Sequence, residues 1–235
     1  STLIYQFGGS LYTEDGLSAN IHTPEGVKGM SFLSELFTVY SLPEQVPIFY
    51  NSFRYGMLPI GITDFNTYLQ VKNAAPELKG QWGLANYPGV RREDGTVSRW
   101  YIGNGSGAVI MQKSKRPAEA WEFLKWWTSE EAQYDFATAM QSVLGLAGRY
   151  TTANIEAFKK LGWGKDNLQV LEDSLQWLRT VPQVPGGYIT GRLIENAFLS
   201  VVTESESKNP VDAIYEAADA INNELAIKRR EFGIE

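Results

Sequence analysis

The segment FRYGMLPIGITDFNTYLQVKNAAPELKGQWGLANYPG, residues 53–89, predicts a strand, a helix and a second strand in one unit. Residues 58–62 are apolar and include a proline, which suits a strand start, and a glycine, which permits close approach of another backbone or a ligand. Residues 82–85 predict the returning strand, and the turn pair Pro88 and Gly89 ends it. The segment therefore predicts an α/β arrangement.

The helix between these strands has recognisable start and stop signals. Thr63 and Asp64 are residues that cap helix N-termini, since their side-chain oxygens accept hydrogen bonds from free backbone N–H groups. Aromatic and aliphatic residues from Phe65 to Ala75 then fit two to three helical turns. Pro76 ends the helix because proline lacks the N–H group and its ring clashes with the preceding turn.

Outside this segment the periodic patterns are helical. Several helices are predicted to begin with a cap residue followed by proline, or with a capping box, and others are predicted from apolar residues at helical spacing. We therefore expect an α/β chain in which helices outweigh strands. The predicted starts and spans are Thr23 with Pro24, Pro117, the box at 128–131, residues 152–161, residues 166–179, Thr190 as a cap, and Asn209 with Pro210.

Composition places the chain among globular proteins and argues against several functions. Its 235 residues, 43% hydrophobic and 20% charged, can bury one good core or two small ones. A formal net charge of −6 argues against nucleic acid, because phosphate binding requires a positive field. There is no cysteine, and the single histidine, His22, lacks other ligands at metal-binding spacing, so we expect neither metal nor cofactor. The sequence has no run of about 18 apolar residues and no signal peptide.

Several segments together resemble family 1 extracellular solute-binding proteins of ABC importers, the maltose-binding-protein-like receptors of carbohydrates. The resemblance lies in FRYGM (53–57), the Ile-Gly strand, APELKG (75–80), and the later Trp-Gly and Pro-Gly pairs. The helical segments AWEFLKWWTSEEAQ (120–133) and NPVDAIYEAADAINNELAIKRREFG (209–233) also resemble this family. The resemblance covers nearly the whole chain, but only the C-terminal portion of a receptor.

The resemblance implies a helix-rich, type II periplasmic-binding-protein-like lobe with a short mixed sheet flanked by helices. Residues 1–111 would form the α/β core of the second lobe, with a strand that crosses between lobes and enters the other sheet at 108–111. Residues 112–150 would be a helical segment that normally packs on the first lobe, and residues 151–235 would return to the second lobe. The partners implied are a carbohydrate ligand, the membrane permease subunits and the missing N-terminal lobe. The implied location is periplasmic or at the cell surface as a lipoprotein, the export signal having been removed.

A sugar-binding cleft calls for aromatic faces and planar polar side chains, and 13% of the residues are aromatic. An unpaired buried hydroxyl costs about 1–3 kcal/mol, so such groups must satisfy the hydroxyls of the sugar. Three loops that the family brings to its cleft contain suitable residues. Three of these residues also have a purely structural interpretation. Asp64 fits a helix N-cap, Trp100 fits a core residue, and Arg192 fits a surface ion-pair partner of Glu195. The predicted ligand contacts are Thr63, Asp64 and Phe65; Trp100, Tyr101 and Asn104; and Tyr188, Thr190 and Arg192.

Two other classes of function remain open from the sequence. A glycoside hydrolase also uses aromatics and carboxylates, but no carboxylate pair, nucleophile elbow or metal motif marks a catalytic centre. A protein-interaction module is the other alternative, because part of a receptor need not retain a cleft. Binding without turnover is the prediction, and the sequence does not identify the sugar.

Overall fold

Helices dominate the architecture, as the periodic apolar residues predict. The computed structural model describes residues 1–43, 48–103, 105–203 and 208–234. Within these ranges the α-helices are α1 (Thr2–Gln6), α2 (Pro24–Thr38), α3 (Phe49–Arg54), α4 (Phe65–Ala74), α5 (Pro117–Trp127), α6 (Glu130–Leu144), α7 (Ile155–Lys160), α8 (Lys165–Leu175), α9 (Thr190–Val202) and α10 (Pro210–Phe232). The strands are β1 (Val90–Arg91), β2 (Val97–Ser98), β3 (Tyr101–Ile102) and β4 (Leu178–Arg179), and short 3-10 helices cover Pro76–Leu78, Gly145–Gly148 and Gly187–Ile189.

The chain divides into two compact units. Unit 1 consists of Ser1–Gln45, Tyr87–Gly103 and Ser174–Glu235, and it holds α1, α2, α9, α10 and the four strands. Unit 2 consists of Val46–Asn86 and Asn104–Asp173, and it holds α3 to α7 and most of α8. The division into lobe segments at residues 111 and 150 stays a prediction. No helix in the described ranges is both long and apolar enough to cross a membrane.

The core of unit 1 is built on α10, whose buried residues recur at helical spacing and face α9 and α2. Burial of one such stripe is what stabilises an amphipathic helix of this length. The α10 contribution is Ala213, Ile214, Ala217, Ala218, Ile221 and Leu225, and other elements add Ile4, Leu11, Tyr12, Ala19, Ile21, Met30, Ile194, Ala197 and Val201.

A close helix–helix contact in unit 1 depends on glycine. A Cβ atom at Gly29 of α2 would lie 2.9 Å from the backbone nitrogen of Ile4 in α1, and one at Gly26 would lie 1.8 Å from the carbonyl oxygen of Ile21. Only a residue without a Cβ permits these approaches. The predicted start of α2 is confirmed, since the Thr23 side chain accepts from the backbone N–H of Gly26.

The strands of unit 1 form two separate pairs. β1 pairs antiparallel with β2 around a turn in which Asp94 accepts from the backbone N–H of Thr96 at 2.9 Å. β3 pairs parallel with β4, and Tyr101 stands opposite Leu178. The prediction of a helix-rich α/β chain with a small sheet is confirmed. The predicted short mixed sheet is, in the described residues, one antiparallel and one parallel pair of strands.

Unit 2 is organised around α6 and α7, with small or polar residues buried between elements. Gln133 is buried, and its Nε2 donates to the Trp127 carbonyl at 2.7 Å while its Oε1 accepts from the Thr152 hydroxyl at 2.7 Å. Both ends of this side chain are thereby satisfied, as burial of an amide requires. The Gln133 amide thus links the end of α5 to the loop before α7.

Three predicted strands are wrong. Residues 58–62, 82–85 and 108–111 are not strands, and in the described ranges no strand pairs with them. Ile60 is 82% exposed and Val109 is 80% exposed. An apolar run indicates that a segment can be a strand, but the ladder of hydrogen bonds requires a neighbour that local sequence does not identify.

Some helix boundaries also differ from the prediction. The helix predicted over 166–179 ends at Leu175, because Leu178 lies in β4. Ser129, not Thr128, caps α6, and its side chain accepts from the backbone N–H of Ala132. Thr190 is not a cap but the first residue of α9, with helical φ and ψ of −55° and −45°. Of the two candidates for the α4 cap, Asp64 is the cap and Thr63 is not. The predicted cap Asn209 and the prolines that begin α2, α5 and α10 are confirmed.

Candidate functional site

The first predicted group of ligand contacts lies at the start of α4 in unit 2. Asp64 Oδ1 accepts from the backbone N–H of Thr67 at 2.9 Å, and the Thr63 hydroxyl donates to the Thr67 hydroxyl at 2.8 Å. Thr63 and Asp64 are both exposed. The capping bond uses one carboxylate oxygen of Asp64, so the accessible side chain still has capacity to accept from a ligand hydroxyl.

Phe65, the third residue of this group, is half-buried on an aromatic cluster. Its ring stacks on Tyr68 with a centroid distance of 5.6 Å and meets the edge of Trp163 at 5.2 Å. Trp163 is itself buried, and its Nε1–H donates to the Phe158 carbonyl at 2.6 Å. These contacts fix the Phe65 ring. Sequence reasoning missed Trp163, whose only local signal is an aromatic between two glycines.

Trp100 belongs to the second group and precedes β3. Its ring is half-buried and stacks on Tyr5, with centroids 4.0 Å apart and planes inclined by 17°. Its carbonyl accepts from Gln6 Nε2 at 2.9 Å, and the same amide donates to the Pro88 carbonyl at 3.0 Å. One face of the indole is therefore occupied by Tyr5. Sequence reasoning missed both α1 residues, because nothing local links them to a segment so far along the chain.

Tyr101 follows on β3 and stacks on Tyr87 with a centroid distance of 5.6 Å. Burial raises the pKa of both phenols above the ordinary value, so both rings remain neutral hydrogen-bonding groups near neutral pH. Asn104, the third residue of this group, lies outside the described residues.

Tyr188 is the most exposed aromatic residue among the predicted contacts, at 75%. Its hydroxyl donates to Glu224 Oε1 at 2.6 Å, and this hydrogen bond to the carboxylate raises the pKa of Tyr188. Gly186, two residues earlier, has a φ of +86° and passes close to the backbone of α10. The turn presents the ring of Tyr188 to solvent while the hydroxyl is held by α10.

The remaining two residues of the third group have opposite environments. Thr190 is 2% exposed, and its Oγ1 accepts from the Tyr12 hydroxyl at 2.9 Å. Arg192 is exposed on α9, and the ion pairs found in the described ranges do not include one with Glu195. Arg192 is thus available to a ligand, whereas the hydroxyl of Thr190 is engaged inside the core.

The predicted contacts fall in both units. The α4 group lies in unit 2. Trp100 and Tyr101 of the second group and all three residues of the third group lie in unit 1, where no described hydrogen bond or ring contact joins Trp100 or Tyr101 to the third group. Among the described residues, no cluster of three or more histidine or carboxylate side chains could hold a metal ion.

Solved structures with a similar fold include solute-binding and sugar-binding proteins. The sugar-binding protein MalE from Xanthomonas citri superposes with a TM-score of 0.71 at 19% identity, covering 100% of this chain and 57% of that chain. A solute-binding protein from Thermotoga lettingae, bound with α-D-tagatose, has a TM-score of 0.62 at 18% identity and covers 95% and 55%. Lmo0181 from Listeria monocytogenes, in complex with cycloalternan, has a TM-score of 0.59 at 19% identity and covers 96% and 55%.

These similarities show the fold, which is of the type II periplasmic-binding-protein-like class, as expected. The chain spans little more than half the length of each of these structures. No match was found among curated protein sequences. The model of the bacterial extracellular solute-binding protein family matches residues 1–134, which is more than half of the chain. The chain therefore belongs to the bacterial extracellular solute-binding protein family.

Proposed function

We propose that this chain binds a carbohydrate, without catalysis, as part of the solute-binding component of an ABC importer. The observation that carries the proposal is the family match over residues 1–134. It is supported by the similarity of fold, over nearly all of this chain, to MalE, which is sugar-binding, and to the proteins solved with tagatose and cycloalternan. The proposed location is outside the cytoplasmic membrane, in the periplasm or on the cell surface as a lipoprotein, where the permease subunits receive the sugar.

In this proposal Phe65, Trp100 and Tyr188 provide the aromatic faces. Each keeps part of its ring accessible while a neighbouring side chain fixes its orientation. Fixed rings lose little conformational entropy on binding, which favours stacking on the C–H faces of a sugar. Polar contacts come from Thr63, Asp64, Arg192, Tyr101 and Asn104, while Thr190 acts from within the core by holding Tyr12.

The proposed partner of unit 2 is a first lobe of the same protein. Trp121, Phe123 and Trp126 of α5 are 55%, 56% and 58% exposed. Next to them is a groove of about 670 Å³ that Val109, Met111 and Phe123 help to line. Contiguous apolar surface of several hundred Å² is rare on a soluble monomer, and its burial is worth roughly 25 cal/mol per Å². A packed lobe would cover this surface.

Calorimetric titration against a glycan panel tests the function, alongside a chromogenic glycoside assay. Saccharide binding without turnover is the expected result; turnover would favour the glycoside hydrolase, and neither binding nor turnover would favour an interaction module. Trp100→Ala should weaken binding and reduce the fluorescence change caused by the ligand. In titrations of the chain alone, without a first lobe, Trp126→Ala on α5 lies outside the predicted contacts; it is the matched control and should leave both unchanged. Unchanged affinity and fluorescence response in Trp100→Ala would remove Trp100 from the site.

Sedimentation of the chain, with and without a separately produced first lobe from a relative of full length, tests the proposed partner. A complex with tighter sugar affinity than the chain alone is expected, because the cleft of this family lies between two lobes. A monomer that binds sugar tightly on its own would contradict the proposed dependence on a first lobe.

A further inference from the structure

Unit 2 contains a second concave site, distinct from the predicted sugar contacts. Its volume is about 250 Å³, and it lies between a polar stripe of α6 and the end of α7. The α6 residues recur at helical spacing, so one face of the helix forms one wall. The lining residues are Tyr134, Thr138, Gln141 and Ser142 from α6, and Lys160, Leu161 and Gly162 from α7 and the following turn.

A buried arginine lies directly behind this pocket. Arg149 is 6% exposed, and its Nε donates to Oε1 of Gln141, a lining residue, at 2.9 Å. A Cβ atom added at Gly162, another lining residue, would lie 3.9 Å from Arg149 Nη2. The Nη1 atom is buried and has no hydrogen-bond partner in the described part of the chain. The guanidinium therefore contacts one lining residue, Gln141, directly and lies close to a second, Gly162.

The charge of Arg149 is poorly compensated. The ion pairs of the described residues include no carboxylate partner for it, and burial lowers the pKa of its guanidinium. The face of Trp163, 4.8 Å from the guanidinium carbon, provides part of the missing negative potential. A buried cation normally has an anionic partner, because desolvation without one costs several kcal/mol.

The pocket wall supplies hydrogen-bond donors suited to an anion. Because Oε1 of Gln141 accepts from Arg149, the other end of that amide is a donor. The hydroxyls of Thr138 and Ser142 now donate to backbone carbonyls of α6, and either can rotate toward a stronger acceptor. Lys160 stands at the rim, where it forms an ion pair with Glu130. Glu130 is thus the group that competes with an incoming anion.

We propose that this pocket binds a small oxyanion, a carboxylate or a phosphate, with Gln141, Lys160 and the α6 hydroxyls as contacts. Arg149 acts as the positioning residue: it orients the Gln141 amide and supplies positive charge from behind the wall. Carboxylate and phosphate share the chemistry of several acceptor oxygens on one negative group. A neutral sugar lacks the charge that compensates Arg149, so this pocket selects against it.

Titration with inorganic phosphate, sodium glucuronate and neutral glucose, at constant ionic strength in chloride, tests the proposal on the chain as it is. The readout is the NMR resonance of the Arg149 Nε–H, assigned as the signal lost in Arg149→Lys. Phosphate or glucuronate should shift it saturably, and glucose should not. The anion that binds with the higher affinity, phosphate or glucuronate, identifies the ligand class. No saturable shift with either anion would overturn the proposal, as would an equal shift with glucose.

Variants that leave Arg149 in place separate binding from folding. Ser142→Phe fills the exposed mouth of the pocket and should weaken anion binding at least about tenfold, as the loss of a charge-assisted contact does. Glu130→Gln frees Lys160 and should strengthen binding by about two- to fivefold, the range for an exposed ion pair. Arg116→Met, an exposed site in the same unit, is the control and should change nothing. Anion binding that is the same in Ser142→Phe and Glu130→Gln as in the original chain would place the anion elsewhere and refute this site.

Discussion

The hydrogen bond between Tyr12 and Thr190 determines whether the Thr190 hydroxyl contacts a ligand or stabilises the core. The Tyr12 hydroxyl donates to Thr190 Oγ1 at 2.9 Å, and both residues are at least 95% buried. Thr190→Val keeps the shape of the side chain but replaces the acceptor with a methyl group. Among the described residues, the second acceptor of this hydroxyl is the Gly187 carbonyl at 3.4 Å, which is long for an O–H···O bond.

The expected cost of Thr190→Val is about 1–2 kcal/mol, the penalty for a buried donor left with a poor partner. Tyr12→Phe should cost about 1 kcal/mol, since it removes the donor and leaves the Thr190 hydroxyl unpaired. Because both substitutions break the same bond, the double variant should cost less than the sum, with a coupling energy of about 1 kcal/mol. In thermal unfolding, each kcal/mol corresponds to about 2–4 °C for a chain of this size.

Urea unfolding of the three variants measures these free energies, and sugar titration of the same proteins measures affinity. We expect reduced stability and unchanged affinity for Thr190→Val, because its hydroxyl faces the core. A Thr190→Val protein with unchanged stability and weakened sugar binding would refute this reasoning and restore Thr190 as a ligand contact. Additive free energies in the double variant would show that the two side chains do not interact.

Three further predictions concern local features of the fold. Asp64→Ala should destabilise α4 by about 1 kcal/mol through loss of its N-cap, with Asp64→Asn close to neutral, as measured by urea unfolding. Gly26→Ala should lower the free energy of unfolding by more than about 2 kcal/mol or prevent folding, since its methyl would lie 1.8 Å from a backbone oxygen. Gly191→Ala on α9 is the control: its methyl meets nothing within 4 Å, so it should be neutral or stabilising in the same assay. Hydrogen bonds from the side chain and backbone of Thr96 lower the pKa of Asp94 in the folded protein. The Asp94 carboxylate therefore stabilises the fold at pH values above the pKa of an unfolded aspartate, about 3.9. This stabilisation is lost as the pH falls through the lower pKa of the folded state. Unfolding measured from pH 5 down to pH 2 should therefore show a smaller loss of stability in Asp94→Asn, and an identical pH profile would contradict the assignment.

The helices were predictable because their determinants are local. A helix satisfies its backbone through bonds to the fourth residue back, so caps, prolines and apolar periodicity within one segment define it. The start of α2 at Pro24, the cap at Asp64 and the buried stripe of α10 could all be identified in this way. The same local segments carry the resemblance to the solute-binding family, and so the sequence alone was sufficient to identify the fold class.

Strands and supporting contacts required the tertiary structure, because their partners are distant in sequence. Leu178 has the periodicity of a helix, yet it lies in a strand because Tyr101 offers a parallel neighbour there. Residues 58–62 have the composition of a strand and no paired neighbour in the described ranges. The stacking of Tyr5 on Trp100 and the Tyr12 bond to Thr190 likewise join residues that local patterns cannot associate. The sequence determined which aromatic and polar residues the chain can offer to a ligand. Tertiary packing decided which aromatic faces and hydroxyl groups remain accessible, because a polar group whose hydrogen bonds are satisfied inside the core is no longer available to a ligand.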